Sequence, residues 1–110
     1  MGMNYQLDRA WANAAKGIRQ CQKADKLLLE GEADSAAKHF DKALGYMATA
    51  VDHLAKAEDD AEIKAGNLLQ EGSQQLDKAT ACWTKGDLDG AGAHYDKALD
   101  KFDDALDLID

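Results

Sequence analysis

Proline is absent from this chain of 110 residues, and β-branched residues are few. Both absences favour helix over strand, because proline interrupts helices and β-branched residues are enriched in strands. The chain has no apolar run of roughly 18 residues, the length that a membrane-spanning helix needs. Its first residues also lack the basic start and apolar run of a secretory signal. We expect an all-α, soluble, cytoplasmic protein that forms a single domain over residues 1–110 and contacts no membrane.

Cysteine is scarce as well. Cys21 and Cys82 are the two cysteines, and their positions give no C-x-x-C spacing. A free cysteine is commonly a small buried apolar residue. We therefore interpret both as structural thiols and expect no disulfide.

Motifs that carry catalysis are missing too. The sequence has no glycine-rich phosphate loop and no recognisable nucleophile motif, and the glycines at 86, 90 and 92 follow no predicted strand. We expect a protein that is not an enzyme and holds no cofactor. Trp11 and Trp83 occupy apolar stripes and are predicted to be core residues, although Gly66 takes the place of Trp11 in the repeat described next.

The chain contains an internal repeat. Residues 39–44 read HFDKAL and residues 94–99 read HYDKAL, and the same alignment pairs 29–54 with 84–109. The matched apolar positions alternate by three and four residues, a spacing that only a helix places on one face. The stripe is predicted to form the core, so Leu99→Ala should lower the free energy of unfolding by about 2 to 5 kcal/mol. The predicted core residues are Phe40, Leu44, Met47, Val51, Tyr95, Leu99, Phe102 and Leu106.

A second helical pattern precedes each matched segment. Gly31 and Gly86 separate the two helices of each pair, and glycine after a helix end is typical of a tight turn. Asp59-x-x-Glu62 has the spacing of a capping box and marks the start of the third helix. The sequence therefore predicts two long hairpins, over about residues 4–57 and 60–109, that form an antiparallel four-helix bundle.

The segment GDLDGAGAHYDKAL (86–99) resembles the turn and second helix of a tetratricopeptide repeat. The signature positions in the two copies are Gly86, Ala91, Tyr95, Ala98 and Leu99, and Gly31, Ala36, Phe40, Ala43 and Leu44. The second helices are also similar to those of microtubule-interacting-and-trafficking domains. Both resemblances imply non-catalytic binding of peptides or helices from partner proteins. Convergence stays an alternative, because any two closely packed helices select small and aromatic residues at such spacings.

His39, Tyr46 and His53 follow one another at intervals of seven residues on the second helix. Seven residues rise about 10.5 Å, which is too far for two of these side chains to share one metal ion. We therefore expect no metal site here. The alternatives are half-exposed residues at the edge of the core or a patch that faces a partner.

The negative charge lies in the second half of the chain. Residues 1–55 hold seven acids and seven bases, whereas residues 56–110 hold fourteen acids and six bases, a net charge of −8. This balance disfavours nucleic-acid binding, which needs an excess of clustered cations. Five aspartates of the last helix form a stripe beside the apolar face, and we call them the acidic stripe. They are Asp96, Asp100, Asp103, Asp104 and Asp107.

Three interpretations of the acidic stripe remain open. It could be a solvated face, it could pair with bases of the first helix, or it could dock a basic partner. Our leading hypothesis for the whole chain is a protein–protein interaction module or small adaptor, with self-association as a further option. The alternative is an acidic inhibitor, of the immunity or nucleic-acid-mimicking type, that blocks a basic partner.

Overall fold

Residues 5–109 are described by a computed structural model of the protein, and they form the predicted all-α antiparallel bundle of two hairpins. The helices are α1 (Tyr5–Leu29), α2 (Ala33–Leu54), α3 (Asp60–Thr84) and α4 (Leu88–Ile109). α1 packs closely on α2, and α3 packs closely on α4. The hairpins are therefore the tight units of the bundle.

Glycine closes both hairpins in the same way. Gly31 and Gly86 have positive φ values of 80° and 84°, a region that glycine enters without a steric penalty. The amide of Glu32 donates to the carbonyl of Leu27 over 2.8 Å, and that of Asp87 donates to the carbonyl of Cys82 over 2.9 Å. These are Schellman turns, which satisfy carbonyls that a helix end leaves open. The predicted turns are confirmed.

Aspartate starts both helices of the second hairpin. A side-chain oxygen of Asp59 accepts a bond of 2.8 Å from the amide of Ala61, so the predicted start of α3 is confirmed. Asp87 does the same for α4, accepting a bond of 2.9 Å from the amide of Gly90. Each bond satisfies a backbone donor that the first turn leaves unpaired.

Equivalent positions of the two copies form the core, but the residues at its centre are not all those of the predicted stripe. Phe40, Met47 and Phe102 are buried as predicted. The other five predicted core residues are half-buried and pack on the edge of the core. They are Leu44, Val51, Tyr95, Leu99 and Leu106.

Alanine takes the central positions because the two helices of a hairpin approach closely, and a leucine at those positions would hold them apart. Ala43, Ala50, Ala98 and Ala105 are fully buried. Because Leu99 is only half-buried, the cost of Leu99→Ala should lie toward the lower end of the predicted range. Leu69 and Leu76 are fully buried, so a cost of about 2 to 5 kcal/mol applies to truncation of either one.

Both cysteines are free thiols, and no disulfide joins them. Cys21 is fully buried, and burial raises the pKa of its thiol to about 12. Cys21 therefore stays protonated and packs as an apolar residue.

The two helices of each hairpin pack tightly at Gly17 and Gly72, two glycines that the repeat aligns with each other. A Cβ atom added at Gly72 would lie 2.5 Å from Cε1 of Phe102 and 3.2 Å from the carbonyl oxygen of Ala98. One added at Gly17 would lie 2.6 Å from Cε of Met47. Each glycine thus makes room for a large side chain of the paired helix, and the repeat preserves this packing.

Glycine-to-alanine substitutions should distinguish the cost of overpacking from the gain in helix propensity. Gly72→Ala should destabilise the protein by about 1 to 2 kcal/mol, because overpacking against the ring exceeds the gain in propensity. Gly17→Ala should cost less, since the methyl end of Met47 can move. Gly45→Ala is the control, because nothing lies within 4 Å of the added Cβ, and it should stabilise by up to about 1 kcal/mol. Urea unfolding midpoints measure all three, and equal stabilisation would contradict this packing.

Candidate functional site: an apolar cleft and an acidic stripe

An apolar cleft opens between the hairpins at the end that carries both glycine turns. We call it the turn-end cleft, and its volume is about 240 Å³. All four helices contribute to its lining. The lining residues are Asp25, Leu28, Leu29, Phe40, Ala79, Thr80, Trp83, Leu88, Ala91, Gly92 and Tyr95.

Three aromatic rings form the floor of the cleft. The ring of Phe40 lies 5.9 Å from that of Trp83 and 5.8 Å from that of Tyr95, both in edge-to-face geometry. The hydroxyl of Tyr95 donates a bond of 3.1 Å to the carbonyl of Cys21, which joins α4 to α1. Burial raises the pKa of Tyr95 above its usual range, so this donor keeps its proton. The floor is therefore fixed by contacts between hairpins.

Two leucines at the rim of the cleft are unusually exposed. Leu29 ends α1 with 83% of its surface accessible, and Leu88 begins α4 with 67% accessible. Neither leucine was predicted as a site residue, because Leu29 lies beside a turn and Leu88 begins the apolar stripe of α4, a position that indicates a core residue. The repeat does contain a signal for these two positions, because neither leucine is matched by a leucine in the other copy. Leu29 aligns with Thr84, and Leu88 aligns with Ala33.

All five aspartates of the acidic stripe are exposed. None pairs with a base, and the one ion pair within residues 5–109 joins Lys101 to Glu71 over 3.9 Å. Partial burial raises the pKa of Asp103, and the neighbouring charges of Asp107, Asp100 and Asp104 add to that rise. The stripe is thus a cluster of unneutralised carboxylates.

Pairing between the acidic stripe and α1 is not observed. A helix turns by about 100° per residue, so the bases of α1 fall on its outer side and on the side that faces α2. One of them, Lys16, lies 5.9 Å from the ring centroid of Tyr46 on α2. Tyr46, for which a place at the edge of the core and a partner-facing patch were the alternatives, is half-buried.

The histidines bond to glutamines across their own hairpins. Nδ1 of His39 lies 2.5 Å from Oε1 of Gln20, and Nδ1 of His94 lies 2.7 Å from Oε1 of Gln75, which is the same pair one repeat later. Nδ1 of His53 lies 2.5 Å from Oε1 of Gln6. Extending the alignment of the two copies to the glutamines would have revealed the repeated pair. These bonds join α1 to α2 and α3 to α4 within each hairpin.

Within the described part of the chain, no three His, Cys, Asp or Glu side chains are grouped so that they could hold a metal ion. The histidines of α2 are separated along the helix, and each has its own glutamine. The absence of specific metal binding stays a prediction for solution.

The two tryptophans lie at opposite ends of the bundle. Trp83 is half-buried beside the turn-end cleft. Trp11 is 38% exposed and shares a groove with Leu7 and Ile109, so its predicted place in the core was wrong. A wide apolar stripe extends past the buried face of a helix, and Trp11 occupies its edge.

Comparison with protein families, with curated proteins and with solved structures finds no match to this chain. The resemblance to tetratricopeptide repeats therefore depends on about 14 residues in each copy of the repeat. No helix within residues 5–109 has the length and apolar character needed to cross a membrane.

Removing one carboxylate should show whether the acidic stripe opposes folding. Asp103→Asn should raise the free energy of unfolding at pH 7 by up to about 0.5 kcal/mol, because like charges one helical turn apart repel. The raised pKa means that ionisation of Asp103 disfavours the folded state. The gain should therefore be present at neutral pH and vanish as pH falls through that pKa.

Asp41→Asn is the matched control, because Asp41 is exposed on α2 and has no acid three or four residues away. It should give no such gain. Urea unfolding of both variants at several pH values provides the measurement. A loss of stability in Asp103→Asn that fades with added salt would instead reveal a stabilising ion pair.

Proposed function

We propose that the chain is a non-catalytic protein–protein interaction module, a small cytoplasmic adaptor, that takes an apolar side chain of a partner into the turn-end cleft. One observation supports this most directly: two exposed leucines border an apolar cleft whose floor is aromatic. Apolar surface of this kind, surrounded by polar residues, is typical of interaction sites. Two free thiols fit a reducing compartment.

The size of the cleft favours a side chain over a small-molecule ligand. Ligand pockets commonly measure about 300 to 1,000 Å³, and an apolar cavity of about 150 Å³ holds a benzene ring. The cleft, at about 240 Å³, lies between these values. It can therefore hold one large aromatic or branched side chain and little more.

The charge around the cleft indicates what should flank that side chain. Residues 25–34 and 85–89, which form the turns and the helix ends beside them, contain six acids and two bases. A partner with lysine or arginine beside its apolar anchor would complement this field and associate faster. We therefore favour a partner that is basic near its anchor.

An acidic inhibitor is the second candidate function. The observation that favours it is the acidic stripe, whose carboxylates remain unpaired within the described residues and repel one another. A protein that blocks a basic surface needs such charges free and closely spaced. Binding through charge alone would weaken steeply with salt, whereas binding through the cleft would persist.

Site-specific cross-linking distinguishes these functions. A photoreactive amino acid replaces Leu88 at the cleft, and the matched control replaces Ile63, which is 45% exposed near the start of α3. In lysate of the source cell, the Leu88 position should trap a defined protein at high salt and the Ile63 position should not. Leu29→Ser together with Leu88→Ser should abolish trapping by a second reporter at Gly92, while Ile63→Ser should leave it unchanged.

Trapping that is equal at both positions would contradict docking at the cleft. A basic protein that is trapped only at low salt, and that is insensitive to the leucine changes, would support the inhibitor instead.

A further inference from the structure

The turn-end cleft is one end of a longer seam between α1 and α4. At the opposite end, Leu7 and Trp11 of α1 share a groove with Ile109 of α4. Residues seven apart lie on nearly the same side of a helix, so Ile18 falls between Trp11 and Asp25 on the side of α1 that faces α4. The α1 wall is therefore apolar over most of its length.

The facing wall of α4 follows the same spacing. Gly92 lines the cleft, and Leu99 and Leu106 follow at intervals of seven residues. Both leucines are half-buried, and so is Ile18 on the opposite wall. Apolar side chains that are only partly covered thus line the seam between its two terminal grooves.

The sequence differs between this seam and its counterpart, whose helices are in closer contact. The repeat relates the seam between α1 and α4 to the one between α3 and α2, and α2 and α3 contact each other more extensively. In that closer seam Gly66 replaces Trp11, and Ser73 replaces Ile18. A Cβ atom added at Gly66 would lie 3.6 Å from Cβ of Leu54, so the glycine permits ordinary contact there. α1 therefore presents bulkier side chains to α4 than α3 presents to α2.

Carboxylates border the open seam along one edge only. Asp96 and Asp103 lie on α4 just beyond Leu99 and Leu106, because each is turned by roughly a further sixth of the helix. They are exposed and form no ion pair with α1. The corresponding edge of α1 carries the uncharged Ala15 and Gln22.

We propose that the seam between α1 and α4 is the docking groove for an amphipathic helix of a partner protein. That helix has an apolar stripe toward the seam and lysine or arginine along the flank that meets α4. This inference rests on the proposed interaction function and names its partner chemistry. The seam spans about 22 residues of α1, or roughly 33 Å, so a helix of about 20 residues fills it. Apolar anchors at helical spacing supply affinity, and the acidic edge sets the orientation.

A second copy of this chain is a poor occupant. Each copy carries a net charge of −8, so two copies that meet across this seam bring an excess of negative charge together. Like charges placed opposite one another oppose association.

Synthetic helices of defined charge test the proposal. The probe is a helical peptide as long as the seam, with leucine along one face and lysine along one flank, and its control carries glutamate in place of lysine. We expect saturable 1:1 binding of the lysine peptide in fluorescence anisotropy. Backbone amide shifts should follow residues 7–29 of α1 and residues 88–106 of α4, and the glutamate peptide should bind at least about tenfold more weakly.

Charge variants of the protein supply the matched pair. Asp96→Asn and Asp103→Asn together should weaken the lysine peptide about fivefold, the effect of two exposed ion pairs. Asp41→Asn and Asp77→Asn remove the same charge from exposed positions on α2 and α3, and should change binding less than about twofold. Helical content and unfolding midpoint confirm that both variants are folded.

Three results would overturn the proposal. They are amide shifts confined to α2 and α3, equal weakening by the two double variants, and concentration-dependent self-association through the seam that excludes the peptide. If the cross-link at Leu88 still traps a partner in these cases, the interaction function stands and the helical groove does not. If peptide binding follows the prediction but no partner is trapped at Leu88, the helical groove stands and docking of a side chain in the turn-end cleft does not.

Discussion

The close approach of the two helices in each hairpin is the constraint on which the rest of the structure depends. Gly17 and Gly72 leave room for Met47 and Phe102, and alanines fill the centre of each interface. Helices this close have no space for leucine between them. The larger apolar residues therefore lie at the edges of the hairpins, where they line the joint between hairpins and its open seam. The candidate binding surface is thus a result of how tightly each hairpin closes.

The repeat preserves the interior of the hairpins and varies their edges. The glycine packing, the glycine turns and the pairs of histidine and glutamine recur in both copies. The differences between the copies lie where the hairpins meet each other or solvent. In the alignment of the two copies, Trp11 pairs with Gly66 and Phe40 pairs with Tyr95. The hydroxyl of Tyr95 ties the second hairpin to the first. Such changes alter one seam without disturbing the packing within a hairpin.

Much of the fold could be predicted from the sequence because its signals are local. The spacing of apolar residues, Gly31, Gly86 and Asp59 determine helices, turns and a cap within a few residues. Which side of an apolar stripe becomes the core is a tertiary property. Ala43 and Leu44 are neighbours on the same stripe, and only the distance between helices decides that the alanine is central. For the same reason, the prediction that Trp11 lies in the core was wrong.

The cleft was less predictable than the fold, since residues from all four helices form it and no short segment contains its pattern. The acidic stripe could be read directly from α4, but its relation to the open seam could not. That relation depends on which edge of α4 faces α1, and the hydrogen bond between Tyr95 and Cys21 reveals it.

The segment that joins α2 to α3 lies at the same end of the bundle as Tyr5 and Ile109, while both glycine turns lie at the other. Each hairpin buries its own interface, so the packing within one hairpin does not require that the other is synthesised first. The two hairpins could therefore follow one another along the chain in either order. A circularly permuted chain, opened between Ala55 and Asp59 and joined from Ile109 to Tyr5 by a short flexible linker, would build the same bundle with the same seam.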